Sequence, residues 1–228
     1  MRLFIVRHAE SYSNTQGKMI STTDLPLTDK GILQAKAAKI SIDRISYPKH
    51  FTNAFCSPLL RASQTADIIV NRNIEVIASA YLKEMNLGAL EGLTWGERTR
   101  NYPHIDIDNS LSSAAFPKGE RYEDIKARCN SFIRNCLSVL EENAYVLVVT
   151  HGITARVLTN ALLDRPISHV NYLNWLDNTA FTEIEFDSKK GIGYLKRLND
   201  RQHLAEHNLG TSDYEKWGLF SKIEYSTL

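Results

Sequence analysis

MRLFIVRHAE, residues 1–10, sets the apolar run Leu3 to Val6 directly ahead of an arginine and a histidine. An unbroken apolar run followed by turn-forming residues is the pattern of a strand buried on both faces, as in a parallel sheet covered by helices. In such sheets ligands bind outside the carboxyl ends of the strands. Arg7 and His8 stand at such an end. YVLVVT, residues 145–150, is the clearest buried strand in the chain, and it delivers His151-Gly152 in the same way. Two histidines and an arginine are thereby expected on one rim of the sheet.

The elements between these strands alternate. Thr28 is an N-cap candidate opening a helix from Asp29 to about Ile42, with Ala35 and Ala38 inward. HFTNAFCS (50–57) reads as a second strand. Ser57-Pro58 then predicts an N-cap with proline at the first helical position, and a helix to about Asn71. Ile74 to Ile77 is a short strand candidate, and residues 85–120 read as irregular. From Glu120 to Glu142 the positions Tyr122, Ile125, Cys129, Phe132, Cys136 and Leu140 step by three and four, predicting one long amphipathic helix. A helix is expected from about Ile153 to Leu163. Phe181–Phe186 and Gly193–Leu198 flank Lys189-Lys190-Gly191 as a hairpin. Strands alternating with helices imply a three-layer α/β/α sandwich with a mainly parallel central sheet.

Bulk properties narrow the function classes. The 228 residues suit one domain spanning 1–228, with 85–120 as a possible lid. A formal net charge of +1 offers no electrostatic footprint for nucleic acid or a membrane surface. No apolar run approaches the roughly 18 residues that span a bilayer, and no secretory signal pattern opens the chain. Cys129 and Cys136, seven apart on a predicted helix, lie roughly 10.5 Å apart along its axis at about 1.5 Å per residue. That exceeds disulfide reach, so a reduced cytoplasmic setting is expected.

The rim residues suit phosphoryl transfer without a metal or other cofactor. A neutral histidine whose other ring nitrogen is fixed can be the nucleophile. Arginine presents a planar fork matched to phosphate oxygens. The helix after His151 offers backbone N–H groups to an anion, and a protonated carboxylic acid could serve the leaving oxygen. Competing chemistries fail on spacing. A cysteine nucleophile would need five residues before its arginine, whereas Cys56 to Arg61 and Cys129 to Arg134 have four. Gly17-Lys18 lacks the rest of a P-loop, and neither H-E-x-x-H nor Gly-x-Ser-x-Gly occurs.

FIVRHAESYSN, LTDKGILQA, CSPLLRASQTA, LKEMNLGALEG and VVTHGITARV occur in the order seen in the histidine phosphatase superfamily. The chain resembles that superfamily over about residues 2 to 200, in the branch of cofactor-dependent phosphoglycerate mutases and broad-specificity phosphatases. The resemblance implies the phosphoglycerate mutase-like fold and a role for each matching position. His8 matches the histidine that becomes phosphorylated, and Arg7 and Arg61 match the arginines that clamp the phosphoryl oxygens. His151 matches the second histidine, which steadies the transferring group. Glu84 matches the general acid; Asn14 and Gly152 match side-chain and backbone contacts to phosphate.

Three departures from the pattern stand out, of which the third favours a phosphatase over a mutase and the first, Ala9, is one that related phosphatases share. Ala9 replaces the usual glycine after the first histidine. Ile20-Ser21 stand where a small pair ending in glycine commonly precedes the aspartate, here Asp24, which weakens the case for a backbone contact to substrate from that turn. Leu87 and Trp95 occupy positions where mutases resemble one another in having Tyr and Lys, and the mutases' arginine pair is missing. LTWGERTRNYPH looks like the phosphatases. The expected activity is hydrolysis of a small phosphate monoester through phospho-His8. The partner is then a small phosphorylated metabolite, and the chain a monomer or homodimer. The alternatives are a phosphoglycerate mutase, a non-catalytic phosphate-ligand-binding protein on the same scaffold, and a protein phosphatase for phosphohistidine or phosphotyrosine.

Further residues carry weaker signals. Glu10 is a candidate to orient the arginines. Arg98, Arg100, Lys118 and Arg121 are candidates for a second anionic group, and Trp95, Tyr102 and Phe116 for pocket lining. His203 resembles a tail motif of the superfamily, with a structural role expected. The chain from His207 onward offers no functional signal.

Overall fold

The computed structural model describes residues 1–71, 73–105, 115–166, 173 and 176–210. Six strands form one sheet in the order β3-β2-β4-β1-β5-β6. They are β1 (Arg2–Arg7), β2 (Asn53–Cys56), β3 (Val76–Ala78), β4 (Tyr145–Thr150), β5 (Phe181–Asp187) and β6 (Ile192–Asp200). The first four in that order run parallel, whereas β5 is antiparallel to β1 and β6 to β5. β1 and β4 lie side by side at the centre, with Arg7 opposite Thr150, so the residues that follow each strand emerge together.

The helices are α1 (Asp29–Ser46), α2 (Leu60–Val70), α3 (Trp95–Asn101), α4 (Tyr122–Phe132), α5 (Gly152–Leu162) and α6 (Gln202–Glu206). Strand side chains alternate between faces, so Phe4, Val6, Cys56 and Val149 pack beneath α1 and α2. Leu3, Ile5, Phe55 and Val148 pack on the other face against α4 and α5. Phe55 meets Phe132 edge to face at 5.4 Å between ring centres, an arrangement aromatic quadrupoles favour. This is the expected α/β/α sandwich, with a mixed antiparallel edge.

Several boundaries differ from expectation, each for a physical reason. α1 starts as predicted, with the Thr28 hydroxyl accepting from the Gly31 N–H, but continues to Ser46. β2 is shorter than 50–57, and β3 lies at Val76–Ala78. α2 opens at Leu60 rather than Pro58 because its cap is not local. The Asp24 carboxylate, 36 residues upstream, accepts from the Leu60 N–H at 2.7 Å. α4 ends at Phe132, where the chain widens into a π-helical turn at Ile133–Leu137, so the predicted single helix to Glu142 does not form.

The segment 85–105 is not irregular. Met85, Leu87, Leu90 and Ile105 are buried in the core, and α3 opens on a capping box in which Thr94 and Glu97 satisfy each other's backbone N–H. Trp95, Tyr102 and Phe116 belong to this packing, and Arg98 lies over the Trp95 ring while donating to the Ile105 carbonyl. These aromatics pack on the core. The central part of the proposed lid, 106–114, lies outside the described residues.

Gly31 marks the closest backbone approach near the site. A Cβ built there would stand 2.0 Å from the Glu10 carbonyl oxygen. In an open helix Gly→Ala gains about 1 kcal/mol. Here the clash is with backbone that cannot swing away, and overpacking of that kind costs roughly 1–3 kcal/mol or more. Gly31→Ala is therefore expected to lower stability by about 2 kcal/mol, read as a shifted urea midpoint at unchanged slope.

Candidate active site

His8 and His151 follow β1 and β4, and their rings lie 5.1 Å apart between centres. Both are buried, as are Arg7 and Arg61. The His8 Nδ1 is 2.7 Å from the Ala9 carbonyl oxygen. A carbonyl can only accept, so Nδ1 carries the proton and Nε2 keeps its lone pair. The Arg61 Nε–H donates toward that Nε2 at 3.3 Å. The backbone alone therefore selects the tautomer that exposes a nucleophilic nitrogen beside a guanidinium.

Charge reinforces the tautomer. Burial, then the Arg61 and Arg7 cations, hold His8 well below the ordinary histidine range against the opposing pull of the Ala9 carbonyl. Burial, followed by Arg61, His8 and Arg7, does the same to His151. Among the described residues neither ring nitrogen of His151 has a hydrogen-bond partner. Burial pulls Arg7 down to about 10, partly countered by Asp177 and Glu84, so it remains a cation at neutral pH.

The arginines are aimed by backbone carbonyls. Arg7 Nη1 donates to Leu176 O at 2.6 Å. Arg61, on the first turn of α2, donates Nη1 to Thr23 O at 3.0 Å and Nη2 to Ser21 O at 2.7 Å. Each Nη nitrogen of Arg61 carries a second N–H that these bonds do not use.

Glu84 approaches from the loop after β3. Its carboxylate accepts from the Ile153 and Thr154 N–H groups, both at 3.1 Å, and lies 3.1 Å from the Thr154 hydroxyl oxygen. The helix N-terminus expected to attract a substrate anion is thus partly occupied by Glu84. Gly152, the first residue of α5, supplies a remaining first-turn N–H without an intrahelical acceptor. Two threonines fix the approach: Thr150 Oγ1 donates to Leu82 O and Thr154 Oγ1 to Lys83 O, both at 2.7 Å.

Asn14 is half-buried, its Oδ1 accepting from the Ser11 N–H at 3.0 Å and hydroxyl at 3.1 Å, and from Asn178 Nδ2 at 3.4 Å. Asn178, which sequence reasoning missed, also donates to the His8 carbonyl at 2.9 Å. Glu10 turns away from the arginines, bonding the Thr28 hydroxyl at 2.9 Å and Lys30 at 3.0 Å. His203 is buried 2.9 Å from the Thr179 hydroxyl and stacked on Phe181. Arg100, Lys118 and Arg121 are exposed.

A cleft of about 340 Å³ opens beside Glu84, lined by Ser21, Thr22, Lys83, Asn86 and Arg128 among others. Arg128 is bound to Glu120 at 3.1 Å and to Tyr81 O at 2.7 Å. The charged groups of its lining are Lys83, Glu84, Glu120 and Arg128.

With this geometry in place, the comparisons decide the family. The model of the histidine phosphatase superfamily (branch 1) matches residues 3–201. The chain belongs to that superfamily. A protein of Shigella boydii named a probable phosphoglycerate mutase is 27% identical over 213 residues, covering 90% of this chain and 95% of its own. A 6-phosphofructo-2-kinase/fructose-2,6-bisphosphatase of Caenorhabditis elegans is 30% identical over 174 residues; the match covers 75% of this chain and 36% of that longer protein. The solved α-ribazole phosphatase of Shigella flexneri superposes with a TM-score of 0.75 at 25% identity, covering 88% of this chain and 96% of that one. Superfamily membership makes this a phosphatase- or mutase-type scaffold, and no described helix is long and apolar enough to cross a membrane.

The buried neutral histidines tie stability to pH. His8 and His151 sit well below the ordinary value in the fold, and burial takes His203 down to about 4. Below about pH 6.5 the unfolded chain binds protons that the native state refuses, so stability falls as pH falls. Urea denaturation at pH 5 is expected to show at least about 2 kcal/mol less stability than at pH 7. Equal stability at the two values would mean these rings are protonated in the native state.

Proposed function

We propose that the protein hydrolyses a small phosphate monoester, without a metal, through a phosphohistidine on His8. The observation that carries this reading is the Nδ1–H bond to the Ala9 carbonyl, which leaves Nε2 unprotonated between the two arginines and His151. Nε2 attacks phosphorus as the bond to the leaving oxygen breaks, and Glu84 gives that oxygen a proton. Arg7, Arg61, His151, Asn14 and the Gly152 N–H hold the phosphoryl oxygens. A water then attacks the phosphohistidine with Glu84 as base, releasing phosphate and restoring His8. Donors aimed at developing charge are usually the largest catalytic contribution.

Hydrolysis is favoured over mutase action because Leu87 is buried in the core and Trp95 packs against it, so neither presents the polar contact a mutase uses to retain its intermediate. The substrate is a small phosphorylated metabolite, and the three free cysteines support a reducing, cytoplasmic setting. The test is p-nitrophenyl phosphate hydrolysis in EDTA across pH 5 to 8, wild type beside His8→Ala. Turnover lost with His8 supports the reading. Turnover that survives the substitution, or that requires a bisphosphorylated primer, overturns it.

A further inference from the structure

We infer that Glu91 is a positioning residue that acts through Arg61: by filling a cradle of N–H groups in residues 21–23 it holds the carbonyls of that turn against the guanidinium. The inference rests on the proposed role of Arg61 as a clamp on the phosphoryl oxygens.

The Glu91 carboxylate accepts from three successive backbone N–H groups, Ser21 at 3.0 Å, Thr22 at 3.2 Å and Thr23 at 3.1 Å. The hydroxyls of Ser21 and Thr23 add bonds of 2.7 and 3.0 Å. A concavity of backbone N–H groups is an anion site, and here the anion belongs to the chain itself. Burial alone would raise the Glu91 carboxyl, but the bonds from Ser21 and Thr23 outweigh it and hold the group ionised below the ordinary range.

The same turn faces two ways. Its N–H groups point at Glu91, while the Ser21 and Thr23 carbonyls receive the two Nη nitrogens of Arg61. One residue further, Asp24 caps α2 at Leu60, next to Arg61. The turn is also clamped at its base, where Gly92 N–H donates to Met19 O and Met19 N–H to Leu93 O, each at 2.8 Å. A planar fork gripped at both Nη atoms has its remaining N–H directions fixed. The carboxylate thus sets the direction of Arg61 without touching a ligand. The turn also offers no spare backbone donor to the leaving group, so any recognition of it falls to side chains of the cleft such as Lys83 and Asn86.

A double-mutant cycle tests this with orthovanadate as the probe, its affinity measured by calorimetry on the full chain. Glu91→Gln keeps the shape and removes the charge and half of the acceptors. Arg61→Lys keeps a cation and gives up the fork. Glu91→Gln is expected to weaken vanadate binding roughly tenfold in the wild type and in Arg7→Ala, where the Ser21 and Thr23 carbonyls still aim Arg61. In Arg61→Lys the same change is expected to have less than about a twofold effect, since residues that act as one unit are not additive. Thermal melts accompany each variant, and Glu91→Asp, too short to reach all three N–H groups, is read the same way if Glu91→Gln does not fold. Equal weakening in all three backgrounds, or none, overturns the inference and leaves the proposed activity standing. A wild type that binds no vanadate overturns the proposed function and this inference with it.

Discussion

His8→Ala is expected to lower kcat for p-nitrophenyl phosphate by at least about 10⁴-fold while leaving vanadate binding within about tenfold of wild type. The asymmetry follows from the geometry. Arg7 and Arg61 are aimed by the carbonyls of Leu176, Ser21 and Thr23, none of which depends on the imidazole. The oxyanion clamp therefore survives the loss of the nucleophile. What disappears is the covalent path, because nothing else in the cluster offers an unprotonated nitrogen fixed by a backbone carbonyl. Cys56, at the end of β2, does not offer a ready thiolate, since burial, then Asp67, pushes its thiol up to about 11. An alkaline detergent quench of wild type with a labelled substrate should trap a phosphoenzyme, stable to alkali and lost in acid, that His8→Ala lacks. A wild-type enzyme that turns over with no trapped label under rapid mixing would point to direct attack by water instead.

Elements were legible in the sequence wherever a local signal decided them. Tyr145–Thr150 forms β4 with the predicted limits because its apolar run is continuous and is bounded by a turn before it and the start of α5 after it. Thr28 caps α1 as read because its partner, Gly31, is three residues away. Prediction failed where the deciding partner was distant. Asp24 moves the start of α2 from Pro58 to Leu60 across 36 residues, a contact no local pattern contains. The periodicity from Glu120 to Glu142 could not reveal that the helix widens at Ile133. The capping box at Thr94 was different. T-W-G-E is an S/T-x-x-E signature, and it was open to being read.

The candidate site divides the same way. Arg7 and His8, and His151 and Gly152, follow directly from their strands, so their meeting on one rim needed only the rule that strand ends carry ligands. Arg61 and Glu84 came from the family resemblance, and the structure places Arg61 at His8 and Glu84 on the first turn of α5. Glu91 and Asn178 were missed because each works through backbone groups, the N–H groups of residues 21–23 and the carbonyl of His8. Residue types alone do not show which carbonyl or N–H a side chain will find. Ser21 illustrates the point. It stood out as the wrong residue for a substrate-contacting turn, and its hydroxyl instead bonds Glu91 at 2.7 Å.

The role assigned to Glu84 makes a prediction that separates acid catalysis from mere helix capping. Glu84→Gln keeps an oxygen for the Ile153 or Thr154 N–H, so the N-terminus of α5 remains largely capped, but it removes the transferable proton. A p-nitrophenolate leaves readily without help, whereas an alkoxide leaves only if protonated in the transition state. The substitution is therefore expected to slow p-nitrophenyl phosphate by roughly tenfold or less and glycerol phosphate by roughly 10³-fold, the usual range for a positioned acid. Melting temperature should change by only a few degrees, since one capping bond is worth about 1 kcal/mol. The dependence on the leaving group carries the test. A Glu84 that only braces the helix would slow both esters by the same factor, through a shifted Thr154 and a displaced His151. Thr154→Val provides the comparison, because it removes the hydroxyl from Lys83 O and Glu84 while leaving the proton on the acid. It is expected to slow both esters alike, by less than Glu84→Gln slows the alkyl ester.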